Sequence, residues 1–182
     1  MEWVKTAIPD VIHIVPDIHG DGRGYFKETW NSKAFAESGL DIDFVQDNES
    51  RSRRGTLRGL HYQITQPQGK LVRVCYGTVF DVAVDLRRSS PTFGKWVGKY
   101  LSAERHNMLW IPPGFAHGFY VTSDAAVLLY KCTDFYAPEY DRTIVWDDAD
   151  LAIDWPLHYS GEPLLSGKDR MGNRFSMAEC FP

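Results

Sequence analysis

Apolar and polar residues alternate with a period of two along most of the chain to about residue 146, in runs rich in β-branched and aromatic side chains. That period sends successive side chains to opposite faces of a strand. Stretches with the 3.6-residue period of a helix are nearly absent, so the pattern predicts a mainly β protein. Strands are expected at Val11–Val15, Tyr25–Thr29, Phe44–Asn48, Thr56–Gln63, Lys70–Tyr76, Val79–Leu86, Trp96–Leu101, Asn107–Ile111, Ala116–Thr122, Ala126–Thr133 and Thr143–Val145. Gly77-Thr78 separates two strongly alternating runs at hairpin length, which predicts a tight turn between paired strands. One short peripheral helix is expected over Ser32–Ser38, with Ser32 as N-cap and Gly39 placed to stop it. Many short strands divided by turn residues suggest a sandwich, jelly roll or barrel, because closure removes edges that would otherwise aggregate. The tail Asp147–Pro182, rich in Asp, Gly and Pro, reads as irregular.

Composition narrows the class without changing it. The 182 residues suit a single domain, 1–182, with a barrel core at about 40–146. With 43% hydrophobic and 24% charged residues, the chain has a soluble globular balance. No apolar run approaches the roughly 20 residues that span a bilayer. Met1-Glu2-Trp3-Val4-Lys5 lacks the basic flank and apolar stretch of a signal peptide, so no membrane and a cytoplasmic location are expected. Cys75, Cys132 and Cys180 form no paired framework and read as reduced thiols, two of them buried. A net charge of −4 gives no case for nucleic-acid binding. The basic cluster Arg51-Ser52-Arg53-Arg54 reads as a solvated loop, with a phosphate-facing rim as the alternative.

Polar residues inside strands carry the candidate chemistry. In the run from Leu57 to Gln63, strict alternation puts Leu57, Gly59, His61 and Gln63 on one face and Arg58, Leu60 and Tyr62 on the other. A bulge at Gly59 would bring Arg58 and His61 to the same side; otherwise only one of them faces inward. Lys70 opens the next strand. Tyr130 shares the inward face of Ala126, Leu128 and Cys132, while Lys131 points out. His117 enters a strand between glycine and aromatic residues. Taken singly, each reads as a hydrogen-bonded structural residue; together they outline a polar pocket in an apolar barrel. His61-Tyr62-Gln63 stands where a metal-binding barrel would show an HxH pair, so no metal is expected. His13, His19, His106 and His158 read as surface or turn residues.

Several ordered stretches extend this reading. Asp21-Gly22-Arg23-Gly24-Tyr25-Phe26-Lys27-Glu28, Phe44-Val45-Gln46-Asp47-Asn48, Leu57-Arg58-Gly59-Leu60-His61-Tyr62-Gln63 and Gln68-Gly69-Lys70-Leu71-Val72-Arg73-Val74 resemble motifs of the dTDP-4-dehydrorhamnose 3,5-epimerase family. So do Pro91-Thr92-Phe93-Gly94, Ile111 to Phe119, Leu129 to Pro138 and Leu165-Ser166-Gly167-Lys168-Asp169, and the match runs in unbroken order from about Thr6 to Arg170. The resemblance implies a cupin-type jelly-roll β-barrel with one or two short helices, usually a homodimer. It implies a dTDP-4-keto-6-deoxy sugar as substrate and no metal or redox cofactor. It further implies His61 as base, Asp169 as its orienting partner, Lys70 as enolate stabiliser and Tyr130 as acid. Tyr136 matches the residue that stacks on thymine. Substrate contacts are implied for Arg23, Glu28, Gln46, Asp47, Asn48, Arg58, His117 and Lys168. Asp141 stands where the family often has Glu.

These residue types suit that chemistry. A ketone at C4 acidifies the hydrogens on C3 and C5, so the substrate supplies its own electron sink. An imidazole can take a proton near neutral pH and a carboxylate can fix its tautomer. A fixed cation gains value as charge grows on the C4 oxygen. A tyrosine remains protonated and can act as acid. Arg23 and Arg58 offer paired hydrogen bonds to phosphate oxygens. Three rivals stand beside inversion at both C3 and C5: a mono-epimerase, a metal-dependent cupin oxygenase or isomerase using His61 and His117, and a non-catalytic sugar-nucleotide binding module. The apolar stretch Val11 to Val15 reads either as a core strand or as a segment pairing across a dimer two-fold.

Overall fold

The computed structural model describes residues 1–157 and 162–182. Its frame is two facing antiparallel sheets, a jelly-roll barrel of cupin type. One sheet has the spatial order β1 (Glu2–Lys5), β2 (Ile12–Val15), β10 (Met108–Ile111), β7 (Lys70–Tyr76), β12 (Ala125–Cys132) and β5 (Gln46–Arg53). The other runs β13 (Asp141–Thr143), β6 (Leu57–Gln63), β11 (Phe115–Val121), β8 (Thr78–Asp85) and β9 (Trp96–Ser102). A separate ribbon pairs β3 (His19–Asp21) with β4 (Gly24–Phe26). The helices are α1 (Ser32–Glu37) and α2 (Gly167–Arg170).

The alternation explains the layers. Inward residues of both sheets, including Val72, Val74, Ala83, Leu101, Leu109, Phe115 and Leu128, form the core between them. The outer face of the six-stranded sheet packs Ile14, Leu71, Met108 and Trp110 against Phe35 of α1. The outer face of the five-stranded sheet packs Leu60, Val82, Val84 and Tyr120 against the C-terminal tail through Leu151, Trp155 and Ala178. Irregular as it is, the tail is therefore a third layer. Bridges of Thr56 with Leu164 and of Ile144 with Asn173 hold it across β6, which brings α2 up behind that strand.

Several expectations change. The Gly77-Thr78 step is not a hairpin: β7 pairs with β10 and β12, whereas β8 pairs with β11 and β9, so the chain crosses from one sheet to the other there. Gly77 has φ of 76°, and an added Cβ would meet the Ala125 carbonyl oxygen at 2.0 Å, so glycine fits this corner by conformation and by space. Asn31, not Ser32, caps α1, its Oδ1 accepting from the Ala34 amide. The basic cluster lies largely in a strand, since β5 continues to Arg53 as an edge paired with β12. β2 lies between β1 and β10 with Val11 and Ile14 fully buried, so it is a core strand with no edge to offer a two-fold. Of the cysteines only Cys132 is buried; Cys75 is exposed at the end of β7. His158 lies outside the described residues. Among the described residues no helix is long and apolar enough to cross a membrane.

Candidate active site

A cleft of 360 Å³ opens between the sheets, within the range of small-molecule sites. The six-stranded sheet lines it with Gln46, Asn48 and Ser50 of β5, Lys70 of β7 and Tyr130 of β12. The five-stranded sheet answers with Arg58, His61 and Gln63 of β6, His117 and Phe119 of β11, and Asp141 of β13. Tyr136 and Lys168 close one side.

Local backbone geometry explains how Arg58 and His61 share the cleft. His61 pairs with His117 but Arg58 pairs with Phe119, so β6 carries one residue more than β11 between the two rungs. The bulge lies at Gly59, whose φ is 122° and whose missing Cβ lets the Gly118 backbone approach; an added Cβ would sit 2.6 Å from the Gly118 Cα. The phase conflict seen in the sequence is resolved by this extra residue.

His61 is about one-third exposed, and its Nε2 lies 2.8 Å from Asp169 Oδ1. Asp169 is buried in α2 and accepts further hydrogen bonds from the Gly59 amide at 3.0 Å, the Ser166 amide at 3.1 Å and the Ser166 hydroxyl at 2.5 Å. Burial alone would raise the pKa of this carboxyl. The donors from His61, Ser166 and Gly59 outweigh it and hold Asp169 well below the usual carboxylate range. An ionised carboxylate only accepts, so His61 Nε2 carries a proton and Nδ1 is left with its lone pair.

Across the cleft, burial pushes the Tyr130 phenol above its ordinary value, with the nearby Cys132 adding to the rise and Arg58 opposing it. Tyr130 is thus protonated at neutral pH. Lys70 is buried, and its ammonium has no hydrogen-bond partner among the described residues. Burial lowers its pKa, while Cys132, Asp141 and Asp81 pull the other way. His117 Nε2 lies 2.9 Å from the buried Asp81. Sequence reasoning missed Asp81; the available signal was an acid in the middle of the apolar run Val79 to Val84. Asp141, despite its short side chain, accepts from the Tyr136 hydroxyl at 2.9 Å and pairs with Lys168. Gln46 accepts from the Tyr136 amide at 2.9 Å, which ties the exposed aromatic ring to β5.

Three expected substrate contacts lie elsewhere. Arg23 is on the exposed β3–β4 ribbon, bonded to Asp21 at 2.6 Å. Glu28 is exposed and accepts from Asn31. Asp47 points outward on β5 and pairs with Lys131, because Gln46 and Asn48 take the inward positions of that strand. Among the described residues no cluster of three or more His, Cys, Asp or Glu could hold a metal ion.

A cupin-type barrel with an imidazole–carboxylate pair on one wall and a phenol on the other defines an acid–base site. Comparisons with known proteins fix the family. A family model described as dTDP-4-dehydrorhamnose 3,5-epimerase matches residues 5–177, and the chain belongs to that family. A Pseudomonas aeruginosa protein named dTDP-4-dehydrorhamnose 3,5-epimerase is 61% identical over 183 residues, with 100% of each chain covered. A dTDP-6-deoxy-D-glucose-3,5-epimerase of Legionella pneumophila, solved in complex with dTDP-4-keto-L-rhamnose, superposes with a TM-score of 0.94 at 51% identity, covering 98% of this chain and 94% of that one. A 3′-monoepimerase from Streptomyces bikiniensis, in complex with dTDP-quinovose, gives 0.87 at 35% identity over 94% and 87%.

Proposed function

We propose that this enzyme inverts C3 and C5 of dTDP-4-dehydro-6-deoxy-D-glucose to give dTDP-4-dehydro-β-L-rhamnose. The observation that carries the reading is the placement of His61 with Asp169 on one sheet and Tyr130 on the facing sheet, with the unbonded Lys70 ammonium in the same cleft. In a gluco-configured ring the hydrogens on C3 and C5 are both axial on the same face, so one base reaches both. His61 Nδ1 takes the proton, and the electron pair moves onto the C4 oxygen as an enolate. Lys70 donates a hydrogen bond to that oxygen, a contact whose loss in comparable sites costs about 3 kcal/mol. Tyr130 then delivers its proton to the opposite face of the carbon, which inverts it, and the open cleft returns both groups to their starting state through water.

Around this centre Arg58 takes a diphosphate oxygen, Tyr136 stacks on the thymine, and Gln46, Asn48, His117, Asp141 and Lys168 fix the substrate. Arg23 and Glu28 join through a homodimer. Their ribbon exposes Tyr25 and Phe26, at 59% and 69%, and a second copy receiving it would cover those rings and bring both polar side chains to its own cleft. Mixing inactive Arg23→Ala and His61→Ala chains restores activity in that arrangement, and fails to if each cleft is built from one chain.

Incubation of the substrate in D₂O tests the reaction. Deuterium at C3 and C5 with the L-configured product supports it. Deuterium at C3 alone identifies a mono-epimerase, and none at all identifies a binding module.

A further inference from the structure

Residues 133–137 leave β12 along the side of the cleft with neither strand nor helix, and they carry Tyr136, which is 54% exposed. A surface loop ordinarily leaves its backbone groups to water. Here four consecutive residues each give one to a glutamine side chain. The Asp134 carbonyl accepts from Gln68 Nε2 at 2.9 Å, and the Phe135 carbonyl accepts from Gln63 Nε2 at 3.2 Å. The Tyr136 and Ala137 amides donate to Gln46 Oε1 and Gln63 Oε1, both at 2.9 Å. Gln63 and Gln68 are themselves buried. Gln63 is the central member: it grips the loop on both sides of Tyr136, and its Nε2 also donates to the Gln66 carbonyl at 2.8 Å. Its strand partner Asp141 accepts from the Tyr136 hydroxyl. An exposed ring is thereby tied at its own amide, at both neighbouring residues and at its tip.

We infer that Gln63 and Gln68 are positioning residues for nucleotide binding, holding Tyr136 in the pose that receives the base before the ligand arrives. A buried amide whose N–H groups and carbonyl oxygen are all engaged by backbone acts on a ligand through the loop it orders. Order set in advance is a cost that binding does not meet again. The side-chain type fits the task at position 63. A carboxylate of the same length would keep the bond from Ala137 but lose both donors, and would set a negative charge against two carbonyl oxygens.

The inference rests on the reading of Tyr136 as the residue that stacks on thymine, and a double-mutant cycle separates the two. The parent, Tyr136→Ala, Gln63→Met and the double variant are each titrated with dTDP by calorimetry. Tyr136→Ala is expected to weaken dTDP at least about tenfold. A parent that does not bind dTDP, or a Tyr136→Ala chain that binds it equally well, removes the stacking reading and the inference with it. Where that loss is seen, Gln63→Met alone is expected to weaken dTDP about fivefold and to raise KM for the sugar nucleotide more than it lowers kcat. On top of Tyr136→Ala the same substitution is expected to weaken binding no further, because no ring is left to position. Parent-like affinity in Gln63→Met overturns the inference and leaves the stacking reading standing. So does an equal loss in both backgrounds, which is what a merely structural glutamine gives, or a loss in kcat with KM unchanged. Gln68→Met, which frees only the Asp134 carbonyl, runs the same cycle where Gln63→Met does not fold. A loss of about threefold confined to the chain that keeps Tyr136 supports the inference there, and parent-like affinity overturns it.

Discussion

His61 and His117 face each other on adjacent strands of one sheet, and each turns Nε2 toward a buried aspartate. The pairs differ in what surrounds the carboxylate. Asp169 accepts from Ser166 twice and from the Gly59 amide besides His61, and these donors hold it far below its ordinary pKa. Among the described residues Asp81 accepts a side-chain hydrogen bond from His117 alone, and burial pushes its pKa up despite that partner and the charge of Lys70. One histidine therefore has a firmly anionic partner that fixes its tautomer and supports the imidazolium formed when it takes a proton. The other is hydrogen-bonded to a carboxyl that burial disfavours as an anion. The number of donors around the acid, more than the histidine itself, supports the base role proposed for His61 and the binding role proposed for His117.

That contrast can be broken residue by residue. Asp169→Asn should have the largest effect, because an amide cannot impose the same tautomer on His61; kcat is expected to fall roughly 10³–10⁴-fold, the scale seen when a comparable dyad is altered. Affinity for dTDP, measured by calorimetry, should change little. Asp81→Asn should act mainly on KM, with kcat/KM falling about tenfold, the worth of one hydrogen bond to a charged group. Steady-state kinetics showing the two variants equally impaired in kcat would remove the distinction.

A third buried acid sharpens the comparison from outside the cleft. Asp85 accepts from Arg87, Ser90 and Thr92, and these hydrogen bonds overcome burial and hold it at about 2. A depressed carboxylate stabilises the fold above its unfolded pKa of about 3.9, and that contribution is lost as pH falls through about 2. Asp85→Asn is thus expected to lower unfolding free energy at pH 7 by about 2–3 kcal/mol, with the difference from the parent narrowing below about pH 4. Urea denaturation at stepped pH measures it. The kcat of the folded fraction should be unaffected, in contrast to Asp169→Asn.

Much of this arrangement was legible in the sequence. Alternation located the principal strands and put Tyr130 on the inward face, because a half-buried strand writes its period into the chain. It missed β1 and β3, which are short and largely exposed and so carry little pattern. It read Gly77 as a hairpin because a two-residue turn and a crossing between sheets need the same positive φ; only long-range pairing separates them. The contact of His61 with Asp169 spans 108 residues and has no local signature, so it came from family resemblance alone. The Gly59 bulge lay between, visible as a possibility but decided by the close approach of Gly118.

Solvent exchange by the His61→Asn variant tests the base assignment most directly. With substrate in D₂O followed by NMR, the account predicts that deuterium entry at both C3 and C5 falls at least about 10³-fold while dTDP still binds, the upper range for loss of a general base. Near-normal exchange at either carbon would mean that another group removes that proton.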